Sequence, residues 1–181
     1  ENNVQYLGGI CGYVSNESEI SYSDNKGSLN SNANYIGGIA GTAESNSRLL
    51  NCKNMGVING NSYLGGICGS VNNCDEVVDC VNNSSIYSGN SYVGGITGYG
   101  ANTTFTDCKN LGNVIVSVTG GSATSNYYTS GICGCFSSSS IIRCSNGNES
   151  VAPIIESNRS GVGGICGYAN SSSIEECVNY G

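Results

Sequence analysis

The chain has 181 residues, enough for one domain of ordinary size, and holds no apolar run long enough to cross a membrane as a helix. Its net charge is −7, and the six cations (Lys26, Arg48, Lys53, Lys109, Arg143, Arg159) form no cluster, which excludes nucleic-acid binding. Eleven cysteines are too many for a reducing cytosol and place the chain in an extracellular, secreted or cell-surface setting.

The first element, residues 6–12, reads Tyr-Leu-Gly-Gly-Ile-Cys-Gly and returns at 35–41, 63–69 and 92–98, with degraded copies at 128–134 and 161–167. Taking the isoleucine as marker (Ile10, Ile39, Ile67, Ile96, Ile132, Ile165), the first steps are 28 or 29 residues and the last two are 36 and 33. A second signature, apolar-x-x-Cys-x-Asn, follows each marker, as in Leu49 to Asn54 and Phe105 to Asn110. Its asparagine is present in all six copies: Asn25, Asn54, Asn82, Asn110, Asn146 and Asn179. The chain is therefore one repeat domain over 1–181, with repeats at about 6–34, 35–62, 63–91, 92–127, 128–160 and 161–181. The last is expected to continue into a following chain or repeat.

Long runs of Ala, Leu, Glu and Lys are absent, so helical repeats are excluded. Short apolar stretches bounded by turn residues predict three short strands per repeat. The fold class is all-β, a parallel β-helix (β-solenoid) of six coils of about 29 residues, wound right-handed as is usual for such folds. At a coil spacing of about 4.8 Å the six asparagine amides line up to hydrogen-bond as a ladder, each having donors and an acceptor. The glycine closing the first signature (Gly12, Gly41, Gly69, Gly98, Gly134, Gly167) predicts a sharp corner at positive φ.

Gly-Gly-Ile-x-Gly followed by apolar-x-x-Cys-x-Asn-x-Gly-x-Val resembles the GLUG repeat, which occurs in tandem in bacterial surface proteins, some adhesins and immunoglobulin A proteases among them. The resemblance covers nearly the whole chain apart from the longer fourth and fifth repeats. It implies an extracellular β-solenoid and no catalytic residue within the repeats.

The cysteines fall in two columns. One follows the marker (Cys11, Ala40, Cys68, Thr97, Cys133, Cys166) and one precedes the asparagine (Ser23, Cys52, Cys80, Cys108, Cys144, Cys177); Cys74 and Cys135 lie outside both. Three coils hold both columns, which suggests the bridges Cys68–Cys80, Cys133–Cys144 and Cys166–Cys177. The competing reading is a stack of small buried side chains, which Ala40 and Thr97 favour. An odd count leaves at least one thiol free or paired between chains. No histidine is present and the cysteine spacing does not fit zinc, so no metal or other cofactor is expected.

Glycosylation sequons begin at Asn16, Asn82, Asn83, Asn102, Asn148, Asn158 and Asn170. Asn82 belongs to the ladder, leaving Asn16, Asn83, Asn102, Asn148, Asn158 and Asn170 as candidates, with Asn16, Asn102 and Asn170 expected at one corner.

An enzyme on this fold would need carboxylates held close together. Asp79 and Asp107 stack in one column, but Asn51, Arg143 and Glu176 share it, as on a solvated face, and no catalysis is expected. The same aspartates would hold Ca²⁺ only weakly. Thr97, Thr103, Thr104 and Thr106 fall in one repeat and form no ice-binding column. Tyr6, Tyr35, Tyr63, Tyr92 and Tyr128 do form a column, either an aromatic stiffener or a face for sugars or another protein. The insertions at 111–127 and 147–160 fall on adjacent coils, so they meet on one side and are the best candidates for binding.

Joining Gly181 to Glu1 nearly reproduces the internal repeat at 56–67, which predicts either head-to-tail stacking into a filament or a segment of a longer array. The expected function is a non-catalytic structural one, as a filament subunit or the stalk of a surface adhesin. The alternative is a module that binds a carbohydrate or host protein through the two insertions.

Overall fold

The computed structural model describes residues 5–119 and 126–181. Residues 1–4, part of the expected end-to-start join, and 120–125, part of the first insertion, lie outside the described residues. The fold is all-β, with no helix among the described residues, and its sheets are parallel and stacked as a six-turn β-solenoid.

Coil one carries β1 (Tyr6–Gly8), β2 (Cys11–Val14), β3 (Glu19–Ser21), β4 (Asp24–Asn25) and β5 (Leu29–Asn30). Coils one to five each carry five strands where the sequence predicts three. The Gly-Gly-Ile segment is not one strand: the chain bends at Gly9 and Ile10, separating β1 from β2. The apolar-x-x-Cys-x-Asn segment is likewise cut, into β3 and β4, by a corner at Tyr22. Each strand pairs in parallel with its counterpart one coil on, as Tyr6 with Tyr35, Cys68 with Thr97 and Asn82 with Asn110. Four sheets have six strands, and the sheet built on β5 has five.

Two corner columns adopt the left-handed backbone without glycine. One runs Asn16, Ser45, Asn73, Asn102, Ser138, Ser171; the other runs Tyr22, Asn51, Asp79, Asp107, Arg143, Glu176. Asn and Asp tolerate this conformation, whereas Tyr22 and Arg143 adopt it under the constraint of their neighbours in the stack. The glycine column at Gly12 does not: these residues lie in strands, and the described glycines at positive φ are Gly147 and Gly161. Gly41, Gly69, Gly98, Gly134 and Gly167 are glycine because backbone passes too close for a Cβ, while Gly12, on the first coil, has its nearest neighbour at 3.3 Å. A Cβ on Gly69 would stand 2.5 Å from the carbonyl oxygen of Tyr63 and 2.6 Å from the amide nitrogen of Ile36.

Two apolar cores run along the axis. One holds Ile39, Leu49, Cys52, Ile67, Val77, Cys80, Ile96, Phe105 and their stacked counterparts; the other holds Ile36, Ile58, Leu64, Ile86, Val93 and Val114. Between the strands that feed them lies a polar seam. The second glycine of each Gly-Gly pair faces a ladder asparagine across it, and a Cβ on Gly38 would fall 2.4 Å from Asn54 Cγ.

The ladder expected from the sequence is present. Nδ2 of Asn25, Asn54, Asn82, Asn110 and Asn146 each donates to Oδ1 of the next asparagine at 2.8 or 2.9 Å. In Asn54, Asn82 and Asn110 the second Nδ2 hydrogen goes to the carbonyl two residues on, and Oδ1 also accepts from that residue's amide. These fully buried amides thus have every hydrogen-bonding group occupied, the condition under which burial of polar groups is tolerated.

Candidate functional site

All eleven cysteines are free thiols in this structure, those of the within-coil candidates Cys68–Cys80, Cys133–Cys144 and Cys166–Cys177 among them. The thiols of the two columns each donate to a carbonyl two residues away in the chain, Cys68 Sγ to that of Ser70 at 3.1 Å and Cys80 Sγ to that of Val78 at 3.4 Å. The asparagine-side column points into the apolar core and stacks along the axis, the small-side-chain arrangement that the sequence left open. Burial pushes the Cys68 and Cys133 thiols well up, and takes Cys74 and Cys166 to about 12.

The carboxylate column is also accounted for. Arg143 donates from Nε and Nη2 to the two carboxylate oxygens of Asp107, both at 2.8 Å, and this pairing holds the Asp107 carboxyl below its usual range. Asp107 is thereby committed to a fork-shaped ion pair on an exposed corner.

Asn16, Asn83, Asn102, Asn158 and Asn170 are exposed, and Asn148 is half-buried with its Oδ1 accepting from the Ser150 and Val151 amides. Asn16 and Asn102 share a corner, as expected. Asn170 sits one step earlier, in strand register with Ser137, because its corner residue is Ser171.

The two insertions meet, as adjacency predicts. Val114–Val116 and Ile155–Ser157 pair as strands, and Asn158 clamps Val118 through its amide and carbonyl, both at 3.0 Å. Asn113 Oδ1 receives the Ile154 amide at 2.9 Å, and the Arg159 guanidinium lies over the Tyr127 ring. Val116, Val118 and Tyr127 are buried in the second core. The described parts of the insertions therefore extend the solenoid wall, with Ile154 left outside.

The tyrosine column is the more site-like feature. Tyr6, Tyr35, Tyr63 and Tyr92 stack with centroids 5.3, 4.7 and 4.8 Å apart. At Tyr128 the stack turns edge-on, at 66°, where the longer fourth coil intervenes. Beside it runs a second outward column in strand register: Tyr13, Thr42, Ser70, Tyr99, Cys135, Tyr168. Thr42 and Ser70 are small, so they leave a groove of about 400 Å³ beside the tyrosine stack, with Tyr99, Glu44 and Asn72 on its lining. Tyr13 donates its hydroxyl to Glu44, and that bond raises the Tyr13 pKa. Thr42 Oγ1 is buried and unpartnered among the described residues. This gap was invisible in the sequence, since Thr42 and Ser70 become neighbours of the tyrosines only once the register is known.

A second side-chain ladder also escaped the sequence reading. The Cys74, Thr103 and Ser139 amides donate in turn to Thr103 Oγ1, Ser139 Oγ and Ser172 Oγ, at 3.2, 3.0 and 3.2 Å. It lines an open polar groove of about 660 Å³ at the corner. No family model matches the chain, and comparison with curated proteins and with solved structures likewise finds no match.

Proposed function

We propose that the protein is a non-catalytic extracellular structural solenoid, working as a subunit of a head-to-tail filament or as an adhesin stalk. The observation that carries the reading is the contrast between covered and uncovered coils. Ile39, Ile67, Ile96 and Ile132 are fully buried, whereas Ile10 at the same position of coil one is 48% exposed; likewise Leu49, Val77, Phe105 and Ile141 are buried, whereas Ile174, next in their column on coil six, is 44% exposed. Apolar side chains lined up on an open parallel edge ask for a further coil.

The amide ladder supports the same geometry because it has a direction. Every Nδ2 points toward the higher-numbered coil, so Asn25 presents an Oδ1 lone pair on one face and Asn179 an N–H on the other. A second copy placed head to tail would join them. The cysteine content, the exposed sequons and the resemblance to GLUG repeats support an extracellular place. Negative-stain electron microscopy over a range of concentrations tests this: rods that lengthen with concentration are expected, and Ile174→Lys should cap them. Uniform short particles at every concentration would remove the filament form.

A second reading is favoured by the groove beside the tyrosine stack: a carbohydrate bound there, its ring against Tyr99 and its hydroxyls on Glu44 and Asn72. It stands beside the insertions at 111–127 and 147–160, which leave Ile154 and Val151 exposed for a carbohydrate or host protein. Glycan-array binding abolished by Tyr99→Ala would establish it, and an array that stays blank would dismiss it.

A further inference from the structure

We infer that the stacked cysteines are sites of axial disulfide formation, with bridges that run from coil to coil: Cys52–Cys80, Cys108–Cys144 and Cys133–Cys166.

The register places these pairs one above another. Leu50 pairs with Val78 and Lys53 with Val81, so Cys52 and Cys80 occupy the same level of adjacent coils. Thr106 pairs with Ile142 and Lys109 with Ser145, which aligns Cys108 with Cys144 in the same way. Cys133 and Cys166 are direct strand partners. Neighbouring parallel strands lie about 4.8 Å apart, inside the Cα–Cα range of about 4.4–6.8 Å that a disulfide spans. Side-chain direction agrees. Cys80 Sγ reaches back to the Leu49 carbonyl at 3.5 Å, and Cys144 Sγ to that of Phe105 at 3.7 Å, so each of these sulfurs leans toward the coil of its assigned partner.

Timing follows from burial. Cys52, Cys80, Cys108, Cys133 and Cys144 are closed to solvent in the folded chain, so an oxidant reaches them before the coils have stacked. A small-molecule disulfide such as oxidised glutathione supplies the chemistry. One cysteine thiolate attacks it, expelling a glutathione thiolate, and the partner cysteine then attacks the mixed disulfide and expels the second. Each bridge forms one protein S–S bond at the expense of the glutathione S–S bond. The two cysteine protons pass to the departing glutathione sulfurs. Such bridges link successive coils and lock them against unwinding from the ends.

The test is to unfold the full chain reduced, refold it in a glutathione redox buffer, block residual thiols under denaturing conditions, and map the non-reduced peptides after cleavage at Lys and Arg. That cleavage puts Cys52 in 49–53, Cys80 and Cys108 in 54–109, Cys133 in 110–143, Cys144 in 144–159 and Cys166 in 160–181. Cross-links of 49–53 to 54–109, 54–109 to 144–159, and 110–143 to 160–181 are expected. Linkage of 110–143 to 144–159 would restore a bridge within one coil and overturn the inference, as would eleven blocked thiols. Linkage of 144–159 to 160–181 would overturn the pairing assigned to the asparagine-side column. Cys133→Ala, a residue the column already holds at Ala40, should fold and lose only the 110–143 to 160–181 cross-link.

Discussion

Gly66 and Asn82 face each other across the seam so closely that a Cβ on Gly66 would stand 2.3 Å from Asn82 Cγ and 2.2 Å from the Gly95 carbonyl oxygen. The glycine is thus half of the asparagine's binding site. Neither neighbour can retreat, because the amide is held from above and below and the carbonyl belongs to the next coil's backbone. Gly66→Ala is expected to cost about 3 kcal/mol or more by overpacking. Gly89→Ala, where an added Cβ meets nothing within 4 Å, should change stability by less than about 1 kcal/mol. Urea unfolding of the two variants side by side checks the contrast.

Asn82→Ala should be as damaging for a different reason. It strands the Asn54 Nδ2 donor and the Asn110 Oδ1 acceptor in the core, at about 1–3 kcal/mol for each orphaned group. Asn82→Asp is nearly isosteric yet should be worse. An ionised carboxylate cannot donate to Asn110 Oδ1, and burial without a compensating cation is costly. Thermal melts should rank wild type above Ala and Ala above Asp, with the Asp variant recovering partly at acidic pH as its carboxyl protonates.

The Asp107–Arg143 pair offers a pH test with a defined sign. Its folded pKa is lowered by the Arg143 hydrogen bonds, so its stabilisation is present above the ordinary carboxylate pKa and is lost as pH falls through the lowered value. The side chains are 39% and 49% exposed, and solvent screens the pair, so the contribution to unfolding free energy is small. Arg143→Ala should raise the Asp107 pKa toward its usual value, read by carboxyl-carbon NMR titration, while the melting temperature barely moves.

Cys166 offers a second pH test. With its thiol pushed up to about 12 by burial, the thiolate fraction at pH 8 is roughly one in ten thousand. In the reduced, folded protein, iodoacetamide should label Cys166 far more slowly than in the urea-unfolded chain, and the folded-state rate should climb about tenfold per pH unit through the alkaline range. A flat rate between pH 8 and 10 would contradict the burial. Mass spectrometry of 160–181 reads both.

The coil length, the amide ladder and the stacked cysteines were legible because each depends on one residue type recurring at one register position. The strand count was not. The bend at Gly9 and Ile10 and the corner at Tyr22 are backbone events, and the second corner column mixes Tyr, Asn, Asp, Arg and Glu, so no residue type betrays it. The Gly12 column was misread for a related reason. A glycine imposed by close backbone looks, in sequence, the same as one imposed by positive φ. The tyrosine groove exists only where Thr42 and Ser70 interrupt a column of larger residues, and that column has no signature of its own.

The clasp between the two insertions ties their lengths together. Asn113 serves Ile154, and Asn158 serves Val118, so each excursion supplies the hydrogen-bonding groups that the other would otherwise leave unmet. Shortening one alone would leave amides of its neighbour without their mates. Changes of length at this point of the wall are therefore tolerated as matched pairs, and a graft that transplants either excursion into another solenoid must carry its companion along.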